Sequence, residues 1–248
     1  MQALILAAGM GKRLGNLTAG RTKCMVELFG KPLLVRLLEQ LDRFGIKRAV
    51  IVVGYCADNL RRQIGSRFGN VEIDYVENPV YDTTNNIYSL YLAKDVLLTG
   101  DTVLFEADLV FDDAAIARIL NDHRPNLTVV AKYQSWMDGT VVTLGEEDSI
   151  TAFIPKTKFD ANRLDEYYKT VNVYRFSKEY SQSHYVPFIE AYCKAMGHND
   201  YYEQVLRILT LLDSPVSMKA LRLDGEKWYE IDTAQDLANA ETLFENDR

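Results

Sequence analysis

Six apolar residues, Ala3-Leu-Ile-Leu-Ala-Ala8, run without a polar break into Gly9. A strand with one wet face alternates apolar and polar residues. An unbroken run this short therefore reads as a strand covered on both faces, the habit of parallel sheets in α/β proteins. The pattern returns in Ala49-Val-Ile-Val-Val53 and in Thr102 to Phe105. Helical periodicity fills the gaps. Leu33, Leu34, Leu37, Leu38 and Leu41 follow Pro32 at three- and four-residue spacing, and proline suits a helix's first turn. A helix is predicted over Asn59 to Phe68 and a strand over Val71 to Val76. After a turn at Asn78-Pro79, Ile87, Leu90, Tyr91 and Lys94 suit another helix. This βαβαβ order predicts a mostly parallel, twisted sheet with helices on both faces.

Beyond about Asn126 the strand-like runs crowd together: Leu127 to Tyr133, Thr140 to Leu144, Ser149 to Ile154 and Thr170 to Phe176. That part is expected to be mixed or antiparallel and to cover the sheet's carboxyl edge. Helices are predicted near Pro187 to Met196 and Tyr201 to Leu212. A last strand is predicted near Trp228 to Ile231, and a closing helix from Ala234 to Phe244. No repeat, low-complexity run or linker divides the chain, so residues 1–248 read as one domain.

Charge narrows the function. Twenty-eight Lys and Arg against 35 Asp and Glu leave a net charge of −7, which argues against a nucleic-acid binder. From Met1 to Lys31, however, the bases Lys12, Arg13, Arg21, Lys23 and Lys31 face the single acid Glu27. A basic segment in an acidic chain predicts a local anion site. Cys24, Cys56 and Cys193 show no metal-binding spacing, and His123, His184 and His198 show none either. Free thiols suit a reducing, cytoplasmic setting. No apolar run is long enough to span a bilayer, and the first one lacks a signal peptide's charged lead and cleavage site.

The first chemical constellation is Leu6-Ala-Ala-Gly9-Met-Gly11-Lys12-Arg13-Leu14. A buried strand ends in a glycine loop with two adjacent cations. Glycines let backbone N–H groups approach phosphates, and the cations neutralise them. The same residues equally suit a tight turn with solvated bases. A P-loop needs GxxxxGK[ST], which is absent. A dinucleotide fingerprint needs a helix opening at the glycines, whereas this loop runs on to Pro32. Long connections of that kind in compact domains are usually functional. Lys23, in Thr22-Lys-Cys-Met-Val-Glu-Leu-Phe-Gly-Lys-Pro-Leu33, offers a compact point charge to a transferring phosphoryl group.

LAAGMGKRL followed by KCMVELFGKPLL resembles the signature of the sugar-nucleotide pyrophosphorylase and cytidylyltransferase superfamily. The proline that usually precedes the lysine is replaced here by Thr22. Asn78-Pro-Val-Tyr-Asp-Thr-Thr-Asn-Asn-Ile-Tyr-Ser-Leu-Tyr91 resembles the bacterial CTP:phosphocholine cytidylyltransferases and the related 2-aminoethylphosphonate cytidylyltransferases. The resemblance implies a Rossmann-like nucleotidyltransferase fold with a smaller acceptor-binding part. Residues 1–125 would form the nucleotide-binding half, and 126–248 the acceptor-binding half with the closing strand and helix. It also implies that the base is held by the first strand's end (Leu6, Ala8, Gly9, Gly11) and by Asn85, Asn86 and Ser89. Asn85-Asn86 equally reads as a helix N-cap.

Two strand-end carboxylates, Asp108 and Asp232, suit a hard cation, with Glu106 a weaker third candidate. The superfamily places its Mg²⁺ ligands at positions matching these two aspartates. Lys156 and Lys158 resemble the family's acceptor-phosphate lysine, one of the two filling that role. Ammonium groups are often held over aromatic faces, and Trp136, in a loop beside Met137-Asp138-Gly139, and Tyr229, near Asp232, are the aromatic candidates. The expected partners are CTP and a small phosphorylated or phosphonylated amine. Lys12, Arg13 and Lys23 are the expected catalytic cations. A sugar-1-phosphate nucleotidyltransferase and a non-catalytic nucleotide-sensing module are the alternatives. Some relatives carry a transaminase domain after the transferase, so a fusion beyond Arg248 is a further expectation.

Overall fold

The structure, a computed structural model, describes residues 1–212 and 218–247. Its centre is four parallel strands. β1 (Gln2–Ala7) is flanked by β2 (Arg48–Val53) and β4 (Thr102–Glu106), and β3 (Val71–Glu77) lies beyond β2. Residues Ala3, Ile5 and Ala7 of β1 enter one apolar cluster, Leu4 and Leu6 the other. This two-sided burial is why the run has no polar break. Helix α1 (Leu33–Arg43) packs Leu34, Leu37, Leu38 and Leu41 into the first cluster. Helix α2 (Ala57–Ile64) adds Leu60 and Ile64 to it. That helix is shorter than predicted, because Gly65 ends it and Arg67–Phe68 joins the sheet edge as a strand.

Helix α3 (Asn86–Leu92) is followed by a separate α4 (Lys94–Thr99), which periodicity did not distinguish. After β4 comes a short β5 (Leu109–Phe111) and then α5 (Asp113–Asn121), capped by the Asp112 side chain on Ala115 N–H. The second half adds β6 (Leu127–Lys132), β7 (Val141–Leu144), β8 (Ile150–Ile154), β9 (Tyr168–Phe176) and β10 (Lys219–Leu223). These strands were expected over the carboxyl edge. Instead β9 pairs antiparallel with β4, so the main sheet runs β8-β7-β9-β4-β1-β2-β3, with β6 joined to β9 and β10. The physical reason is that β4 would otherwise be an exposed edge with unpaired backbone groups.

Helices α6 (Val186–Met196) and α7 (Glu203–Leu209) cover the second apolar cluster. Strand β11 (Trp228–Glu230) is not part of the main sheet. It pairs antiparallel with β5, ahead of the closing helix α8 (Ala234–Leu243). Among the described residues no helix is long and apolar enough to cross a membrane, and the three cysteines are free thiols.

Candidate active site

The chain winds from β1 out through β2 to β3 and then crosses back to lay β4 on the other flank of β1. Such a switch point opens a crevice at the carboxyl ends of the strands. A pocket of about 160 Å³ sits there. Leu6, Ala8 and Gly9 from the end of β1 and Asn85, Asn86 and Ser89 from the start of α3 line it. Asn85 caps α3 by accepting from Asn86 N–H at 2.8 Å, and Asn78 Nδ2 donates to the buried Ser89 hydroxyl at 3.2 Å.

This pocket opens into a cleft of about 790 Å³ that shares Gly9, Lys23, Asn85, Asn86 and Asp108 with it. Gly11, Lys12 and Arg13 line the cleft. Gly11 has φ +63°, and a Cβ on it would lie 2.9 Å from Lys23 Cβ. Only glycine lets the loop press this closely on the lysine.

The pairing of β5 with β11 explains how two aspartates 124 positions apart meet. In the antiparallel register Glu230 faces Leu109, and Ile231 N–H donates to Asp108 C=O at 3.0 Å. Asp108, just before β5, and Asp232, just after β11, therefore end side by side. Lys23 Nζ lies between them, in contact with Asp108 Oδ2 and 2.6 Å from Asp232 Oδ1. Arg13 Nη2 reaches the same Asp232 oxygen at 2.6 Å. Burial works against the Lys23 ammonium, but the charges of Asp108 and Asp232 outweigh it and lift its pKa above the usual lysine range.

A third carboxylate completes the group. One oxygen each of Asp108, Glu230 and Asp232 lies within 4.8 Å of the others. Asp108 Oδ1 is buried without a hydrogen-bond partner. Three carboxylates with an open buried oxygen fit a hard divalent cation. Glu106 is oriented differently: its Oε1 accepts from Asn86 Nδ2 at 3.1 Å and Tyr202 OH at 2.9 Å. Burial, then the charges of Asp108, Glu203 and Glu230, raise its pKa well above the carboxylate range. Burial likewise pushes Glu230 up to about 7, opposed by Lys169.

Among the acceptor candidates, Lys156 lines the cleft and pairs with Asp138 at 2.8 Å, while Lys158 is not among its lining residues. Trp136 and Tyr229 do not line it either. Their rings stack at 5.0 Å between centroids and 3° between planes, and they face a neighbouring cavity of about 640 Å³ beside Trp228. The antiparallel β5–β11 pair turns Tyr229 away from Glu230 and Asp232, because successive strand residues point to opposite faces.

The sequence offers Glu230 as an acidic group for the acceptor's ammonium; it stands two positions before Asp232, and strand alternation puts both on one face. Several other cleft residues were not singled out from sequence. Lys169 is only 2 % exposed and marks a charge at the head of a buried strand. Glu203 lies in the first turn of α7 with Oε2 buried and unpartnered. Asp200 and Glu203 belong to no spacing pattern that would have exposed them.

A switch-point pocket, a glycine loop with cations and a paired-aspartate centre suit nucleotidyl transfer. The chain belongs to the MobA-like NTP transferase domain family, whose model matches residues 3–192. It is 27% identical over 246 residues to a CMP-5'-(3-aminopropyl)phosphonate synthase of Streptomyces rubellomurinus, covering 98% of this chain but 39% of that protein. It is 28% identical over 254 residues to a CTP:phosphoglutamine cytidylyltransferase of Campylobacter jejuni, covering 96% of this chain and 98% of the relative. In fold it is similar to the solved CTP:phosphocholine cytidylyltransferase of Streptococcus pneumoniae, with TM-score 0.77, 24% identity and 98% of both chains covered.

Proposed function

We propose that the protein transfers CMP from CTP to a small acceptor with a phosphate or phosphonate at one end and an ammonium at the other, releasing pyrophosphate. Residues 1–125 supply the nucleotide half, and 126–248 the acceptor half together with Glu230 and Asp232. The three thiols suit a cytoplasmic enzyme.

The acceptor's phosphorus oxygens are ionised near neutral pH, so no general base is needed. One of them forms a new bond to the α-phosphorus of CTP as the bond to the β-phosphate oxygen breaks. Catalysis is then alignment and charge neutralisation. Lys12 and Arg13, on the cleft wall, steady the departing pyrophosphate. Lys23 meets the charge that grows at the α-phosphate, and Lys156 faces the acceptor's anionic end. Asp108, Asp232 and Glu230 are the residues that would hold Mg²⁺, which when bound supplies Lewis-acid neutralisation of phosphate charge.

The observation that carries the acceptor class is Glu203. Its Oε2 is buried and unpartnered, and the residue lines the cleft. A buried carboxylate oxygen without a donor is costly unless a ligand supplies one. A primary ammonium brings both charge and three N–H donors. Among the described residues the only aromatic side chains lining the cleft are Tyr81 and Tyr201. With Trp136 and Tyr229 elsewhere, this favours a primary amine such as 2-aminoethylphosphonate over a quaternary one such as phosphocholine.

The test is competition between these two acceptors in one CTP assay, since kcat/KM ratios measure discrimination directly. Preference for the primary amine supports the reading. Transfer to glucose 1-phosphate with neither amine used would move the protein to the sugar-nucleotide branch.

A further inference from the structure

Strand β9 contains a backbone conformation that strands do not need. Asn172 lies in its interior with φ +57°, and the pairing with β6 shifts register between Thr170 and Tyr174. Left-handed backbone is costly for residues with a Cβ, least so for Asn and Asp, and free of that cost only for Gly. Bulges of this kind re-aim a side chain, often beside an active site.

Here the side chain is re-aimed onto the acid cluster. Asn172 is 8% exposed. Thr170 Oγ1, which is also 3.0 Å from Thr140 C=O, lies 3.1 Å from its Oδ1. Asn172 Nδ2 donates to Glu230 Oε1 at 3.2 Å. The other carboxylate oxygen of Glu230, Oε2, faces Lys169 Nζ at 3.6 Å. Both oxygens of Glu230 are thus tied to one bulged strand. Backbone economy alone would put glycine at 172; the amide is what glycine lacks.

The geometry points to Asn172 as a positioning residue that holds Glu230 in register with Asp108 and Asp232, so that the three carboxylates close on one divalent cation. This rests on the metal reading above. Groups that orient a metal's ligands typically change its affinity about 10–100-fold when removed.

Two variants separate the amide from the backbone. Asn172→Gly keeps the left-handed conformation without steric cost and removes the donor. Asn172→Ala removes the donor and also strains the backbone. Mn²⁺ alone is titrated against each protein, with the free ion read by its electron paramagnetic resonance signal, and melting temperature is measured in parallel. Positioning predicts that both variants weaken Mn²⁺ binding about ten-fold or more, while Asn172→Ala melts lower than Asn172→Gly. A purely structural residue would give wild-type Mn²⁺ affinity in Asn172→Gly, and that result overturns the assignment. A wild-type protein that transfers CMP but binds no Mn²⁺ overturns it as well, and does so without touching the acceptor assignment.

Discussion

Replacing Lys23 by Met tests the centre of the site most sharply, because the unbranched stem is kept as far as the ε position and the ammonium is lost. In the structure the Lys23, Asp108 and Asp232 side chains are 15%, 13% and 19% exposed, so the three charges are largely desolvated. Removing one partner of a buried pair leaves the others uncompensated, a cost of about 3–5 kcal/mol, and partial exposure places Lys23 near the lower figure. At roughly 2–4 °C per kcal/mol for a chain of this size, a loss of about 3 kcal/mol lowers the melting temperature by about 6–12 °C in EDTA. Mg²⁺ then has two carboxylates with no competing ammonium, and should recover more stability in Lys23→Met than in the wild type. Turnover does not recover with it. Loss of a group aimed at developing charge costs about 10²–10³ in kcat, with a smaller rise in KM. Differential scanning calorimetry with and without Mg²⁺, alongside steady-state kinetics, reads all three effects. A variant melting within about 2 °C of wild type in EDTA, or one whose only defect is KM, refutes the reasoning.

Other substitutions probe neighbouring parts. Asp108→Asn and Asp232→Asn should each lower turnover more than about 100-fold with the fold intact by circular dichroism, as expected for lost metal ligands; near-normal activity in either would make that residue structural. Gly11→Ala places a Cβ 2.9 Å from Lys23 Cβ at a left-handed position; it should cost about 1–2 kcal/mol in urea unfolding and raise KM for CTP. Glu203→Gln should lower kcat/KM for an aminated acceptor about ten-fold or more while KM for CTP holds, measured by varying each substrate in turn.

The first half of the chain was legible because its physics is local. Two-sided burial writes unbroken apolar runs into β1, β2 and β4, and α1 writes its leucine stripe. Asp108 and Asp232 were legible as strand ends. That they could share a cation was expected from the resemblance; how they meet was not, since it depends on β11 leaving the main sheet to pair with β5. The second half hid more. Trp136 looked free in a loop, yet ring stacking with Tyr229 carries it to another cavity. Asn172 reaches Glu230 through a bulge, and a bulge shifts the period-two pattern from which strand faces are read. Glu203 stands out by a missing partner, which no sequence pattern records.

CMP transfer to an aminated phosphorus acceptor has a direct readout in ³¹P nuclear magnetic resonance of the reaction mixture. CTP, Mg²⁺ and 2-aminoethylphosphonate should give pyrophosphate and a new pair of mutually coupled phosphorus signals, one phosphonate and one phosphate, in equal amounts. Both should be absent without enzyme and with EDTA. Pyrophosphate appearing without any coupled product, or no consumption of CTP with either 2-aminoethylphosphonate or phosphocholine, would contradict it.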